Sequence, residues 1–272
     1  MKVRLVCLVS TLAAAVGIVT LLALMQSSAS AAPPAAVPDA SPVACRQSSA
    51  RSVRSIAAPD ISPVTWTDNF DNPLLDSRWS WVREDPTHWS LTERPGFLRI
   101  TAQYWETNKW ARNLLLQTAP IGDYEIETHV FFTPTVNIQR AGLLIYEDDA
   151  NYFLLSRAYC DIGTSGNGIY FDHVQEGQGI GWNHSLSTDV VGEAYLRLVR
   201  RGAVYTGYFS ENGTDWQEVG VHTAICGFVP SRIGLWADVL PFWGGVEIPA
   251  DFDYFRLDDH SYRMLLPLVV RD

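Results

Sequence analysis

The chain has 272 residues, of which 47% are hydrophobic, and this is enough for one large folded core. Its formal net charge is -10 and its isoelectric point is about 5.0. Since nucleic-acid binding requires a basic surface, this charge excludes DNA or RNA as an expected partner, and it also disfavours anionic polymers and anionic membranes.

The first 31 residues have the pattern of a bacterial-type export signal. Lys2 and Arg4 stand at the start of an apolar run over residues 3–25, and Ala29-Ser30-Ala31 fits the small-x-small pattern of signal cleavage. The apolar run is long for a signal, so an uncleaved membrane anchor is the rival interpretation. We predict cleavage, a secreted or cell-surface protein, and no membrane span in the mature chain.

Residues 32–63 are predicted to be a disordered linker, because a segment dominated by Ala, Pro, Ser and Val buries too little apolar surface to offset its ordering entropy. Cys45 lies in this linker, and Cys7 leaves with the signal. Cys160 and Cys226 both lie next to strand patterns, so outside the cytoplasm we predict a disulfide between them. Neither has the CxxC spacing or the nearby histidine of a metal site.

From residue 64 to residue 259 the hydrophobic pattern has a period of two, and no window carries a convincing amphipathic helix. This pattern predicts one all-β domain over 64–259, a two-sheet antiparallel β-sandwich, followed by a tail at 260–272. A closed barrel is the alternative, but so many strands favour two sheets. The predicted strands are Val64–Phe70, Trp79–Arg83, Trp89–Thr92, Phe97–Gln103, Asn113–Thr118, Tyr124–Phe132, Ala141–Tyr146, Tyr152–Ala158, Gly168–His173, Ala194–Arg200, Val204–Ser210, Trp216–Val219, Arg232–Asp238 and Phe252–Leu257.

The dipeptide Asn212-Gly213 lies between two of these strands. It predicts a type I′ hairpin, a turn in which both central residues need a positive φ. Asn212 and Asn183 also begin glycosylation sequons, but for Asn212 the turn explains the residues without further assumptions.

Five segments together resemble a known family: DNFDNPLLDSRWSWVRE, HWSLTERPGFLRI, NLLLQTAPIGDYEIETHVFF, AGLLIYEDDANY and DFDYFRL. In this order they resemble the C-terminal concanavalin A-like domain of family 43 glycoside hydrolases, the β-xylosidases, over residues 66–257. The resemblance implies a jelly-roll β-sandwich. In those enzymes a separate propeller domain carries the chemistry, and the sandwich packs against it. We find no propeller pattern in this sequence, so we expect a non-catalytic module with, at most, a separate glycosidase partner.

The resemblance also implies a structural Ca²⁺ ion where the first and last strands of the sandwich meet. By motif the ligands are Asn69, Asp253 and a backbone oxygen near Gly96. Such oxygen ligands suit a hard cation. The alternative is that Asp253 hydrogen-bonds a neighbouring turn.

Jelly rolls commonly present a concave sheet face to a ligand, and aromatic rings with a few polar groups suit sugars. We therefore expect a plant-type or other neutral polysaccharide or oligosaccharide as the partner, although core packing is the alternative for each ring. The predicted sugar-facing aromatic residues are Trp105, Trp110, Tyr146, Tyr152, Tyr170, Trp182 and Trp236. The predicted hydrogen-bonding residues are Arg112, Gln139, Arg157 and Asp238.

Two other functions stay open. A glycoside hydrolase needs two carboxyl groups about 5 to 9.5 Å apart. Glu125 and Glu127 share a strand face at about 7 Å, but a solvated strand face explains them more simply, and EIETHV lacks the E-x-D-x-x-E glucanase pattern. A surface structural or interaction module is the other possibility, suggested by the tail YRMLLPLVVRD, which also fits an edge strand blunted by Pro267.

Overall fold

The computed structural model describes residues 64–104, 111–160, 166–180, 184–225, 228, 230–240 and 246–261. These residues form sixteen β-strands and no helix, which confirms the predicted all-β fold. Within these ranges no helix is long and apolar enough to cross a membrane. The predicted signal and linker, and nearly all of the predicted tail, lie outside the described residues.

Eight strands form the first sheet, which we call sheet A. Its longest member is β16, which pairs with β6 along one side and with β4 and then β1 along the other. On the β6 side of β16 the sheet continues through β12 and β13 and ends at β14. The strands are β1 (Val64–Asp68), β3 (Trp89–Ser90), β4 (Leu98–Tyr104), β6 (Tyr124–Phe132), β12 (Gly192–Arg201), β13 (Val204–Ser210), β14 (Gln217–Thr223) and β16 (Ile248–Asp259).

The other eight strands form sheet B. Its centre is the antiparallel run β15, β7, β8 and β9, with β5 and β2 beyond β15 and two short strands beyond β9. The strands are β2 (Ser80–Val82), β5 (Leu114–Thr118), β7 (Gln139–Asp148), β8 (Asn151–Cys160), β9 (Gly166–Gln175), β10 (Gln178–Gly179), β11 (Ser185–Ser187) and β15 (Arg232–Val239).

The two sheets are joined along one side by a short parallel pairing. At the end of β4, Gln103 pairs with Asp238 and Tyr104 pairs with Val239 of β15. All other strand pairs in the described part of the chain are antiparallel. The predicted two-sheet sandwich is therefore confirmed, with one parallel link that the strand periodicity did not predict.

The main core fills the space between the two sheets. It is built from alternate residues of both sheets, so that Leu98 and Ile100 of β4 meet Leu143 and Ile145 of β7 in one buried cluster. Trp79 lies at one end of this core, where its ring packs edge-on against Phe255 with centroids 5.0 Å apart. This period-two burial is the physical basis of the pattern that predicted strands.

The predicted type I′ hairpin at Asn212-Gly213 is wrong. Gly213 has a positive φ of 77°, but Asn212 does not, and β13 and β14 are connected by a longer loop. The Asn212 side-chain oxygen accepts hydrogen bonds from the backbone N–H groups of Thr214 and Asp215, both at 2.9 Å. A side-chain turn therefore replaces the backbone turn, which is an alternative that Asn offers.

The outer face of sheet A, where we expected Glu125 and Glu127 to be solvated, contains a buried ion-pair network. Glu127 is buried, because Arg197 and Arg256 both form ion pairs with its carboxylate, at 2.7 and 3.2 Å. The hydroxyl of Tyr254 donates to the same carboxylate at 2.6 Å. Glu127 thus anchors three strands and offers no free carboxylate for catalysis.

Candidate functional site

The outer face of sheet B carries a second layer of buried side chains. Strand parity directs Leu143 and Ile145 into the main core and Leu144 and Tyr146 to the outer face. The predicted aromatic residues Tyr146 and Trp236 both lie on this outer face, in one cluster with Tyr152. The sheet therefore brings together three of the rings that the sequence nominated for sugar contact.

The centre of the face is an arginine held by an aspartate and an indole ring. Arg140 donates to both carboxylate oxygens of Asp238, at 3.0 Å from Nε and 2.8 Å from Nη2. Its guanidinium carbon lies 5.0 Å from the centre of the Trp236 ring. The indole N–H of Trp236 donates to the backbone oxygen of Leu143 at 3.3 Å, which holds the ring along β7.

Asp172 of β9 completes the group, and we call Arg140, Asp172, Trp236 and Asp238 the Arg140 cluster. Nη1 of Arg140 lies 3.8 Å from Oδ2 of Asp172, which is longer than a hydrogen bond. Burial raises the pKa of the Asp172 carboxyl, and Arg140 opposes this shift only in part. Asp172 is also the most accessible carboxylate of the cluster, with 23% of its side chain exposed against none of Asp238.

Two polar side chains on the same face are buried without a hydrogen-bond partner. Ser156 pairs across the strands with Gly142, and Gly142 pairs with Trp236, so Ser156 lies in the same row as the indole. Gln103 pairs with Asp238. Within the ranges that the structure describes, no hydrogen bond reaches the Ser156 Oγ or the Gln103 Nε2. Because buried polar groups are usually paired, these atoms indicate a place for a polar ligand or ordered water.

The Tyr146 end of the face is closed by a polar bridge. The hydroxyl of Tyr146 donates to Asp149 at 2.6 Å, and Arg83 forms an ion pair with the same carboxylate at 2.9 Å. Burial, followed by this hydrogen bond, raises the pKa of Tyr146 to about 12. At neutral pH the hydroxyl therefore carries its proton and donates a hydrogen bond to Asp149, so this donor is already used within the protein.

Tyr170 lies on the same face, on β9, where it pairs with Ser156. Its hydroxyl donates to the backbone oxygen of Cys160 at 3.2 Å. Cys160 and Tyr170 form a small buried cluster with Leu240 beside the Arg140 cluster. Cys226, the predicted disulfide partner of Cys160, lies outside the described residues, so the pairing stays a prediction.

Two predicted hydrogen-bonding residues serve the protein itself. The Gln139 side chain accepts from the backbone of Thr135 at 2.8 Å and donates to Val246 at 2.7 Å, so it ties two loops together. Arg157 has the parity of core residues and donates to Asn167 and to the backbone of Val190, both at 3.0 Å. Burial lowers the pKa of Arg157 to about 10. We leave both residues out of the candidate site.

Arg112 lies outside the Arg140 cluster, at a separate polar group. Its Nη1 is 3.2 Å from Asp85, whose carboxylate also lies 3.0 Å from His88. The hydrogen bonds from Thr87, together with His88, lower the pKa of Asp85 to about 2 although burial opposes this. The remaining predicted aromatic residues, Trp105, Trp110 and Trp182, lie outside the described residues.

All three predicted calcium ligands lie in the described part of the chain. Asp253 is the extra residue of a β-bulge in β16, and its carboxylate lies 3.2 Å from Nδ1 of His129. Asn69 is exposed, and Gly96 has a φ of 79° beside Asp71. In the described ranges no three His, Cys, Asp or Glu side chains are placed to hold a metal. A Ca²⁺ ion needs about six to eight oxygens, so calcium stays a prediction, which unfolding with and without a chelator tests.

Sequence reasoning found Trp236 and Asp238 but missed Arg140 and Asp172. The i, i+2 spacing of an aromatic residue and a carboxylate on a predicted strand was visible for the first pair. Arg140 falls just before the predicted strand that begins at residue 141. Arg140 is an even number of residues from Leu144 and Tyr146, so on an extended strand its side chain lies on their face. This spacing was the signal from which Arg140 could have been predicted.

The model of the "Beta xylosidase C-terminal Concanavalin A-like domain" family matches residues 67–258. A xylan 1,3-β-xylosidase of Vibrio sp is 27% identical over 217 residues, which cover 71% of this chain and 37% of that protein. The solved structure of xylan β-1,4-xylosidase from Bacillus halodurans C-125 is 25% identical, with a TM-score of 0.61, over 76% of this chain and 42% of that one. The GH43 BlXynB protein of Bacillus licheniformis is 24% identical with a TM-score of 0.61, over 71% of this chain and 39% of that one, and shares the fold.

The chain therefore spans well under half the length of these relatives. The match covers the sandwich described above and includes every member of the Arg140 cluster.

Proposed function

The chain belongs to the β-xylosidase C-terminal concanavalin A-like domain family. On this premise we propose that it is a secreted, non-catalytic module that binds a neutral polysaccharide on the outer face of sheet B. The observation that carries the proposal is the Arg140 cluster, where an indole ring, a partly exposed carboxylate and two unpartnered polar atoms share one sheet face.

The chemistry of the cluster suits a sugar. The hydroxyl groups of a sugar need both donors and acceptors around the ring. The indole of Trp236 is fully buried, so it supports Arg140 from within the sheet face and does not itself stack on the ligand. Asp172 supplies an acceptor, Gln103 Nε2 a donor, and Ser156 Oγ either. Asp172 is the accessible member, so we place the approach of the ligand on its side of the face.

The charge of the cluster favours a neutral sugar. Arg140 is one positive charge against the carboxylates of Asp172 and Asp238, and its stronger contacts are already made to Asp238. A uronic acid would bring a third carboxylate to Asp172 and Asp238, against Arg140 as the one cation among the described members of the cluster, and like-charge repulsion opposes this.

The same contacts argue against hydrolysis at this cluster. Asp238 is fully buried and bound by two hydrogen bonds to Arg140, so it is not available as a nucleophile or base. A glycosidase needs one carboxyl group that acts as an acid and a second that remains free to attack or to activate water.

The test combines binding and product release. We expect the exported chain to co-sediment with neutral arabinoxylan, to bind glucuronoxylan less well, and to release no reducing sugar from either. Asp172→Asn removes a charged acceptor and should weaken binding about tenfold or more. Asp215→Asn, an exposed carboxylate in the β13–β14 loop, is the matched control and should bind normally.

Three outcomes count against the proposal. Reducing-sugar release that Asp172→Asn abolishes would show catalysis. Preference for the uronate-bearing polymer would contradict the charge argument, and no binding to either polymer would remove the proposed function. Export is tested separately, because the protein recovered outside the cell should begin at residue 32.

A further inference from the structure

Three histidines meet where β9 of sheet B and β14 of sheet A approach each other. His173 lies on β9, His222 on β14, and His184 just before β11. The ring centres of His184 and His222 are 4.5 Å apart, and those of His173 and His222 are 5.3 Å apart. β14 is the last strand of sheet A, so this cluster lies on the side of the sandwich opposite to the β4–β15 link.

The cluster is tightly packed and mostly apolar. His173 is 1% exposed, its ring centre lies 4.2 Å from that of Phe153, and the side chain of Gln175 is the polar group that acts on it. His184 rests on Gly220, where an added Cβ would lie only 2.2 Å from Nδ1 of the histidine. A side chain at residue 220 would therefore displace His184.

Hydrogen bonds from His222 and Gln175 join β9 to β14 and to Ile225, which follows β14. Nε2 of His222 lies 3.0 Å from the backbone oxygen of Phe171, which makes that nitrogen the donor. The amide side chain of Gln175 bonds both backbone groups of Ile225, at 3.0 and 3.3 Å. In the described residues, this edge thus depends on the packing of the histidine rings and on these polar contacts.

We propose that His173, His184 and His222 form an acid-sensitive clasp that keeps the β9 and β14 edges of the sandwich together at neutral pH and releases them in acid. Protonation of His173 and His222 places two positive charges on rings whose centres are 5.3 Å apart. In a desolvated site this is strongly unfavourable. The β4–β15 link has no histidine and holds the opposite side of the sandwich.

In the described part of the chain, the titratable groups beside the gap do not pair with His173 or His222. Tyr205 of β13 packs nearby against Phe153, and burial raises its pKa to about 12, so it stays neutral. Asp172 lies on the other face of β9, and its charge acts on His184. Among the described residues, no carboxylate forms a hydrogen bond or ion pair with His173 or His222.

The direction of the pH effect follows from burial. Desolvation, and then repulsion by His222, lowers the pKa of His173 from 6.5 to about 4, and desolvation lowers the pKa of His222 to about 4 as well. Each histidine therefore binds its proton more readily in the open chain. The stabilisation that the clasp contributes is fully present above about pH 6.5 and is lost as the pH drops towards 4. Over this range the equilibrium constant for opening of the β9 and β14 edges rises by roughly a hundredfold for each of these two histidines.

Hydrogen exchange of the full chain at about pH 7 and about pH 4.5, corrected for intrinsic exchange rates, tests the clasp by locating the opening. We expect β9, β11 and β14 to lose protection in acid before β4, β15 and β16. Simultaneous loss of protection in all strands, or none in β9 and β14, would overturn the proposal.

Variants separate the clasp from general acid unfolding. His173→Leu keeps an apolar side chain of similar size and should reduce the acid-induced loss of protection at β14 by about tenfold or more. His222→Gln, which keeps a side-chain donor for the backbone oxygen of Phe171, provides the same test if the first variant folds poorly. His129→Gln is the matched control, since His129 stacks on Tyr195 on the outer face of sheet A. If both clasp variants open in acid as the wild type does, the proposal fails.

Discussion

At the scale of single residues, the main feature of the molecule is a buried charge whose partners are unequal. Arg140 is bound to Asp238 by two short hydrogen bonds and lies further from Asp172. This asymmetry leaves Asp172 with acceptor capacity, while Asp238 serves to hold the guanidinium. One carboxylate is thus a ligand candidate and the other a positioning residue.

Removing Asp238 tests this division of roles. Asp238→Ala leaves the buried guanidinium with only its distant partner, so we expect the free energy of unfolding to fall by about 3 to 5 kcal/mol. The double variant Arg140→Met/Asp238→Ala removes both charges and should recover much of this loss. Urea unfolding at neutral pH measures both effects.

The control for this measurement is an exposed pair. Glu125 is bound by Arg201 on the outer face of sheet A, where both side chains contact solvent. Glu125→Ala should cost less than about 1 kcal/mol. If Asp238→Ala is as mild as Glu125→Ala, Arg140 is not held in the way described here.

At the scale of strands, the period-two pattern was enough to locate most elements but not how they join. Each long predicted strand overlaps an observed one, because alternate burial is a local property of the chain. The parallel contact between Gln103 and Asp238 depends on two strand ends that lie far apart in sequence, so no local pattern reveals it. Asp172 was missed for the same reason, since its proximity to Arg140 exists only once β7, β8 and β9 align.

Strands β4 and β16 are held together by a charge pair that predicts a pH dependence. Arg99 donates to both carboxylate oxygens of Asp251, at 2.6 and 2.8 Å, and Arg94 adds a third hydrogen bond at 3.1 Å. Burial alone would raise the pKa of Asp251, but these arginines outweigh it and lower the pKa. The stabilisation is therefore present above the unfolded pKa of about 3.9 and is lost as the pH falls through the folded value.

Arg99→Met should remove part of that stabilisation, about 1 to 3 kcal/mol at neutral pH. The difference between wild type and variant should shrink below about pH 4, because Asp251 is then protonated in both unfolded chains. Urea unfolding as a function of pH measures the difference, in which any effect of the histidine clasp cancels. A difference that does not change with pH would show that Arg99 acts through packing alone.

At the scale of the whole molecule, the sandwich is joined by backbone pairing on one side and closed by side chains on the other. The β4–β15 pairing makes a continuous sheet around the first side. The second side relies on the histidines and on Gln175.

The predicted Cys160–Cys226 disulfide has a measurable effect on the whole fold. In the chain-entropy model its removal by Cys160→Ala/Cys226→Ala should lower the free energy of unfolding by about 4 kcal/mol. Cys45→Ala, in the predicted linker, should leave stability unchanged and serves as the control. Two titratable thiols at residues 160 and 226 in the native protein would contradict the prediction.

The most direct test of the account is a hydrogen-exchange footprint of the full chain with neutral xylo-oligosaccharide. We expect added protection in β7, β8, β9 and β15, which form the face that carries the Arg140 cluster, and no change in β12 and β13 of sheet A. The Asp172→Asn variant should lose most of this protection at the same ligand concentration. Protection confined to sheet A, or a footprint that Asp172→Asn leaves intact, would contradict the assignment of the binding face.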